Sequence, residues 1–383
     1  MLKVAIVGCG KIADSHASVI QNLEGCEITG VCDREPLMVR QLCERFSVQG
    51  QFTNVVEMLD RGQPEVVHIT TPPESHFEIA RLCLEHGCHI YVEKPFTVRV
   101  SEAESLLRLA EKKGLRLTVG HNYQFTHVAR RMRALVESGY LGGAPVHMES
   151  YYGYDLSDLA YARALLGDKN HWVRRLPGKL LHNVISHGVA RIAEFLNCDS
   201  PRVTVCGFVS RTLQSIHEDE IVDELRVIIC DEDRTTAYFT FSSQMKPSLH
   251  EFRIYGPKNG LALDQDHEIL LKLSGKTFPS FADKFIPPAL FAKQHLGNLL
   301  FNLGRFLHRD FHLDSGMTYL IKSFYESIRK GTPPPIPYRQ ILLTATIMES
   351  IFSQLILCES KSLCPASPEL VPSRAAVSDS SSR

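Results

Sequence analysis

The sequence predicts an α/β protein in two parts: an N-terminal doubly wound parallel sheet, then an α+β domain built on a mostly antiparallel open sheet. Three observations carry this. A short apolar run, Lys3-Val4-Ala5-Ile6-Val7, leads straight into Gly8-Cys9-Gly10-Lys11-Ile12-Ala13. Strand-like apolar runs then alternate with helix-like segments to about residue 122, which requires crossover connections and a parallel sheet. From about residue 203 strand-like runs follow one another without helices between them, the mark of antiparallel pairing.

Taken in order, Lys3 to Val7 is apolar enough for a strand buried on both faces. Gly8 to Ala13 fits G-x-G-x-x-G/A with Ala in the third place. Gly8 permits the tight turn out of the strand, and Gly10 lets backbone approach a pyrophosphate with no Cβ in the way. Lys11 and Ile12 open a helix running to about Leu23, whose N-terminus can carry a phosphate's charge. A second strand, Glu27 to Cys32, ends at Asp33, 20 residues beyond Ala13. A carboxylate there accepts hydrogen bonds from an adenosine ribose and repels the 2′-phosphate of NADP, whereas Arg34 beside it would pair with that phosphate. The expected cofactor is NAD, with NADP left open by Arg34. A glycine turn alone is a weak signal; the strand before it, the helix after it and the acid at the next strand end make it a Rossmann dinucleotide-binding domain.

The alternation continues with a helix from Leu37 to Phe46, a strand from Glu65 to Thr70, and the loop Thr71-Pro72-Pro73-Glu74-Ser75-His76. A helix to Glu85, a strand from His89 to Val92, a helix from Ser101 to Lys113 and a strand from Arg116 to Val119 complete the domain, expected over residues 1–122. Open parallel sheets bind ligands beyond the carboxyl ends of their strands. That singles out the loop to His76 and Glu93-Lys94-Pro95, where Pro95 holds Lys94 extended and a cis bond is compatible with the position. Cys83 to His89 lacks a second ligand pair and reads as a helix ending at Gly87, so no metal is expected.

The Gly8–Ala13 turn, Asp33, the Thr-Thr-Pro-Pro-Glu-Ser-His loop and Glu93-Lys94-Pro95 together resemble the glucose-fructose oxidoreductase and inositol dehydrogenase family, Gfo/Idh/MocA. The resemblance extends to roughly residue 357, and E-K-P is its most specific part. It implies that Lys94 is catalytic and meets both the reacting hydroxyl and the nicotinamide region. Cofactor contacts are expected from Gly8, Gly10, Lys11, Ile12, Asp33, Arg34, Thr71, Pro72, His76, Glu93 and Lys94. In Gly120 to Phe125, Tyr123 is read as a substrate contact, and Gln124 stands where the family usually has a basic residue. Further on, a helix from Leu181 to Phe195 would put Asn183 and His187 on one face. The resemblance aligns His187 with the family's acid/base histidine and Asn183 with an aspartate. Asn cannot ionise, but it can still hydrogen-bond a sugar hydroxyl, and a similar asparagine occurs in members acting on nucleotide-linked sugars.

The second domain, expected over 123–340, carries strands near 203–210, 223–230, 235–241 and 251–255, with turns at 231–233 and 257–260. Leu290 to Leu307 places Leu296, Leu299, Leu300, Leu303 and Leu307 on one helical face, with Lys293, Arg305 and Arg309 elsewhere. This is expected to be a core or subunit-interface face rather than a membrane contact. Asp314 to Ile328 resembles the family's last substrate-domain helix, and a helix within 341–360 is expected to return to the first domain. From about Lys361 the composition turns to Ser, Pro and Ala, so a disordered tail is expected there.

The 383 residues allow two ordinary domains. With 42 Lys and Arg against 43 Asp and Glu, the net charge of −1 offers no global field for nucleic acid or an anionic membrane. The 11 cysteines form no paired framework, and the first strand begins two residues after Met1; reduced thiols and a cytoplasmic location are expected. The expected function is hydride transfer between nicotinamide and a hydroxyl-bearing carbon of a sugar, polyol or nucleotide sugar. Lys94 and His187 would handle the proton, and Tyr123 and Asn183 would orient the substrate. The resemblance also implies a homo-oligomer, dimer or tetramer, formed through the open sheet. A non-catalytic dinucleotide or sugar sensor on the same fold is the alternative, prompted by Gln124 and Asn183 and opposed by the retention of Lys94 and His187.

Overall fold

A computed structural model describes residues 1–232, 235–308, 310 and 315–361; the expected tail beyond Lys361 and Arg309 lie outside them. Strands β1 (Leu2–Val7), β2 (Cys26–Cys32), β3 (Gln51–Phe52), β4 (Val66–Ile69), β5 (His89–Val92) and β6 (Leu117–Val119) form a sheet in the order β3-β2-β1-β4-β5-β6. All its pairs are parallel. Helices α1 (Lys11–Gln21), α2 (Pro36–Phe46), α3 (Val55–Gly62), α4 (His76–Glu85) and α5 (Val100–Lys113) supply the crossovers. Val4, Ala5, Ile6, Val66, Val67 and Ile69 are fully buried, as strands covered on both faces must be. The strand order reverses between β1 and β4, which opens a crevice at their carboxyl ends. The short β3 and α3 are absent from the sequence reading. Asn54 marks the start of α3, its side chain accepting from Glu57 N at 3.1 Å, an N-cap signal open to detection.

Helix α6 (His127–Glu137) leads to β7 (His147–Gly153), followed by α7 (Leu159–Leu166), α8 (Lys179–Val184) and α9 (Ser186–Ala193). Then come β8 (Arg202–Phe208), α10 (Arg211–Gln214), β9 (Glu224–Cys230), β10 (Thr236–Ser242), β11 (His250–Tyr255), β12 (Asn259–Asp264) and β13 (Ile269–Ser274). The second sheet runs β13-β12-β11-β7-β10-β9-β8, antiparallel except for the β7–β10 pair. Strands β7, β12 and β13 extend the expected set, and Asn259 and Gly260, read as turn, already belong to β12. One face of this sheet carries α9, where Val189 and Ile192 share a core with Phe239 and Phe241. On the other face Ile228 and Tyr238 stand about half exposed.

Three long helices finish the chain: α11 (Ile286–Leu307), α12 (Ser315–Lys330) and α13 (Tyr338–Lys361). Helix α12, expected to close the second domain, packs instead on the first sheet, burying Met317, Leu320, Ile321, Phe324 and Tyr325 in its core. Helix α13 touches both cores. Ile341 joins the first, while Ile347, Ile351 and Phe352 join the second, and Glu349 accepts from Val100 N at 3.1 Å. The leucine face of α11 is exposed, not buried, because its polar residues face the sheet. Among the described residues no helix is long and apolar enough to cross a membrane.

Candidate active site

The glycine turn is shaped by close approach on one side and open space on the other. Gly8 has φ +98, and a Cβ there would stand 2.7 Å from Thr71 N, so both conformation and space exclude other residues. Gly10, the N-cap of α1, has nothing within 4 Å of its Cβ position. It faces a cleft of about 420 Å³ whose lining includes Gly8, Asp33, Arg34, Thr71 and Pro72. Asp33 is held by the backbone: Oδ2 accepts from Cys9 N at 2.7 Å and Oδ1 from Glu35 N at 3.0 Å. Each oxygen keeps a lone pair for a ribose hydroxyl. A helix N-terminus, a Cβ-free turn and a fixed carboxylate on one cleft fit the adenosine and pyrophosphate of a dinucleotide. Arg175, from the segment between α7 and α8, reaches this cleft's edge and pairs in bidentate fashion with Glu74, both distances 2.7 Å.

Not every expected cofactor residue lines this cleft. Lys11 and Ile12 sit at the exposed start of α1 and are absent from the lining. His76 is buried, with Nδ1 2.9 Å from Pro95 O and Nε2 2.8 Å from Thr71 O. Its imidazole stands between the Thr71 loop and the E-K-P turn, each ring nitrogen facing a backbone carbonyl, and it is absent from the cleft lining. Glu93 is likewise committed within the protein, accepting from His16 Nε2 at 3.0 Å and from Lys94 N at 3.1 Å. Burial alone would raise the Glu93 pKa, but His16 and Lys94 outweigh it and hold the carboxyl below its ordinary value. A Cβ at Gly120 would lie 2.6 Å from Glu93 Oε1, so glycine is required beside this carboxylate.

Behind Glu93 runs a buried polar chain. His16 Nδ1 lies 2.7 Å from His68 Nδ1, and His68 Nε2 lies 2.8 Å from the hydroxyl of Tyr325 on α12. All three side chains are essentially sealed from solvent. Burial pushes the His68 pKa well down, so that imidazole carries one proton. An ionised Glu93 only accepts, which fixes a proton on His16 Nε2. With His16 neutral, the donors then run in one direction, Tyr325 to His68 to His16 to Glu93.

On the other side of the turn, the Lys94–Pro95 bond is cis and Lys94 Nζ donates to the backbone carbonyl of Asn183 at 3.0 Å. This bond joins the end of β5 to the end of α8. The expected helix over 181–195 is broken at Ile185, and Lys94 takes a carbonyl at the end of the first piece. Asn183 therefore meets the lysine through its backbone, while its carboxamide makes no hydrogen bond to protein among the described residues. Burial lowers the Lys94 pKa, with Glu93 opposing.

His187, near the start of α9, is buried beneath Tyr123, the two rings stacked at 4.4 Å and 13°. Burial first, then Lys94, His121, His250 and Arg191, press its pKa well below the ordinary value; it is neutral near pH 7, and its Nδ1 has no protein partner. Sequence reading missed three neighbours. His121 lies 6.0 Å from His187 ring to ring, has an unpartnered Nε2, and is pushed down to about 4 by burial. Arg191 is buried and donates to Tyr123 O at 2.7 Å. His250 reaches Gly153 O at 2.9 Å and Asp266 at 2.8 Å. His121 lies within the Gly120–Phe125 motif and was the one within reach of sequence reading. Gln124, by contrast, is a core tie: its amide donates to Ala190 O at 3.1 Å and Glu194 Oε2 at 3.0 Å. Among the described residues no group of His, Cys, Asp and Glu could hold a metal ion.

Residues 2–121 match the family described as oxidoreductase, NAD-binding Rossmann fold. D-glucoside 3-dehydrogenase of Escherichia coli K12 is 31% identical over 142 residues, which are 37% of this chain and 40% of that protein. The matched part is thus well under half of that relative's length. Two solved structures share the fold over nearly their whole lengths. UDP-N-acetylglucosamine 3-dehydrogenase of Acidithiobacillus ferrooxidans superposes with TM-score 0.68 at 17% identity, covering 92% of this chain and 99% of that one. The WlbA dehydrogenase of Bordetella pertussis, in complex with NADH and UDP-GlcNAcA, does so with TM-score 0.68 at 15% identity, covering 92% and 95%. Residues 2–121 thus match the Gfo/Idh/MocA oxidoreductase family and carry the NAD-binding Rossmann fold that describes it.

Proposed function

We propose that this protein is an NAD-dependent oxidoreductase acting on a hydroxyl-bearing carbon of a sugar or nucleotide sugar. The observation that carries the reading is the Lys94 Nζ to Asn183 carbonyl bond, which brings the E-K-P lysine to the segment bearing His187. Burial lowers the Lys94 pKa in the direction of neutral pH, as expected of a group that must exchange a proton there, and it keeps the His187 imidazole neutral and open to a proton. Bound NAD would supply a hydride acceptor at C4 of the nicotinamide. The chain's own part is to hold the substrate carbon and to receive the hydroxyl proton at Lys94 Nζ or the His187 imidazole. As a cation, Lys94 also stabilises developing alkoxide. Tyr123 lies over His187 as an apolar platform for a sugar ring, and the carboxamide of Asn183 suits a sugar hydroxyl.

The names of the compared dehydrogenases, which act on a glucoside and on UDP-N-acetylglucosamine, support the substrate class. The half-exposed face of the second sheet at Ile228 and Tyr238 supports assembly as a dimer or tetramer. Nine cysteines among the described residues are free thiols, in keeping with a cytoplasmic location. We place the domains at 1–122 and 123–340, with α12 of the second span packed back on the first sheet and α13 shared between the two cores.

The test begins with native mass spectrometry in NAD and in NADP separately. A mass increment of one NAD per chain, abolished in Gly10→Val, supports the cofactor assignment; no increment with either removes it. Substrate then follows from absorbance of NADH formed across a panel of sugars and nucleotide sugars. A cofactor-loaded protein inert on the whole panel would count against the reaction.

A further inference from the structure

Helix α11 lies along the edge strand β13 with its amide side chains turned toward it. Gln294 pairs twice with the strand, Oε1 accepting from Lys272 N at 2.7 Å and Nε2 donating to Lys272 O at 3.2 Å. One turn on, Asn298 repeats the pattern with Leu270, at 3.3 and 3.0 Å, and a turn later Asn302 donates to His267 O at 3.1 Å. Rising numbers on the helix meet falling numbers on the strand. Ser274 and Lys276 therefore lie toward the start of α11 and Leu270 toward its end.

Between α11, β13 and α6 opens a cavity of about 850 Å³, within the roughly 300–1,000 Å³ of small-molecule sites. It follows α11 from Pro287 to Phe301, about 21 Å by the helix's rise per residue, and is therefore elongated. Its apolar walls come from Leu135, Leu270, Phe278, Leu290, Phe291 and Phe301. Gly297, in mid-helix, also lines it, and a Cβ there would meet nothing within 4 Å. No protein neighbour requires glycine at this position, although glycine weakens a helix interior. Its effect is to leave the groove open.

The charged part of the lining has one sign. Arg131, Lys272, Lys276 and Lys293 all reach the cavity, and no Asp or Glu does; α11 itself contains neither. Among the described residues none of the four cations forms a salt bridge. Arg131 donates instead to Asn298 Oδ1 at 3.2 Å and stands 4.4 Å from the centre of the Phe301 ring, and Lys272 stands 5.6 Å from that of Tyr140. Lys276 and Lys293 are left for an anion. Single surface lysines are ordinarily solvated, but cations gathered on an apolar cavity that supplies no counter-charge suit an anion with an apolar body. The length of the groove selects a chain over a compact ring.

We propose that the groove between α11 and β13 binds a single alkyl chain ending in an anionic head, a fatty-acid carboxylate. The chain lies along Leu290, Phe291, Gly297 and Phe301, and the carboxylate meets Lys276 and Lys293. None of these residues lines the dinucleotide cleft, and the proposed hydride transfer does not rest on this site.

The test is isothermal titration of the full chain with decanoate, decan-1-ol and acetate, each below any micelle-forming concentration. One decanoate per chain is expected, bound at least about tenfold tighter than decan-1-ol, with no saturable binding of acetate. Lys276→Gln with Lys293→Gln should lower the decanoate affinity about tenfold and leave that of decan-1-ol unchanged. Gly297→Leu places a side chain in the groove without a clash and should abolish binding of both, while the thermal midpoint holds or rises. Absence of decanoate binding, or equal affinity for decan-1-ol, overturns the proposal. So does decanoate binding that survives Gly297→Leu or ignores the lysine pair, since the chain would then sit elsewhere, such as on the exposed leucines of α11.

Discussion

The two sides of the E-K-P turn treat buried polar groups in opposite ways. Behind it, Glu93, His16, His68 and Tyr325 satisfy one another in sequence. In front of it, His121 Nε2, Ser186 Oγ and His187 Nδ1 are buried with no partner in the protein. An unmade hydrogen bond in the interior costs about 1–3 kcal/mol, so a fold keeps such groups where something else will pair with them. The difference teaches how a turn can be aimed: the histidine chain on one side is completed within the protein, although the Tyr91 hydroxyl packed beside it has no partner, and the other side keeps two imidazole nitrogens and a hydroxyl for a ligand to pair with.

The largest expected effect falls on the lysine between them. Lys94→Ala should lower turnover by about 10²–10⁴, the usual worth of a positioned proton-transfer group, while native mass spectra still show the dinucleotide bound. Turnover like that of the parent would remove Lys94 from the chemistry. Next comes acid stability. His121 and His182 are held down to about 4, each chiefly by burial, below the unfolded value of about 6.5. Folded values lower than unfolded ones mean that the unfolded chain takes up protons first. The stability this contributes is complete above about pH 6.5 and is lost as pH falls toward 4, by roughly 3 kcal/mol for each imidazole. Urea midpoints measured across that range check the sign; a midpoint that stays flat from pH 7 to pH 4 would mean these rings are charged in the folded state.

Smaller effects separate the two sides directly. Tyr325→Phe leaves the far end of a satisfied chain without its hydroxyl and should destabilise the fold by about 1–3 kcal/mol. Its effect on turnover should be well below that of Lys94→Ala, because Tyr325 acts only through His68, His16 and Glu93. Ser186→Ala deletes a hydroxyl that already lacks a partner, so its stability should move by less than about 0.5 kcal/mol or rise slightly. If the serine variant is the less stable of the two in matched denaturation curves, the contrast between the sides is wrong.

Much of the first domain was legible because strands buried on both faces read as apolar runs, as Val66 to Ile69 does, and because Gly8, Gly10 and Asp33 have spacings set by the ligand they would hold. Lys94 and His187 were legible through their motifs. The polar chain was not: His16, His68 and Glu93 meet only when α1, β4 and β5 assemble, and Tyr325 joins once α12 has packed on the first sheet. His76 and the Gln124 amide N–H group show the converse, since a polar group near a ligand loop can be turned toward protein oxygens instead. Helix α11 was read with the right period, but the side that meets the sheet was not legible, because its amides find their partners on a strand edge that no pattern along the helix displays. Strand β12 was hidden by its opening Asn259 and Gly260, which read as turn.

The contact between His16 Nδ1 and His68 Nδ1 has a further consequence. Two like nitrogens in contact need one proton between them, and an ionised Glu93 decides which ring owns it. Because the carboxylate takes the His16 proton on Nε2, the shared proton belongs to His68, and the phenol of Tyr325 must donate to that ring. The carboxylate at the E-K-P turn therefore sets the direction of a hydroxyl on a helix that it never touches.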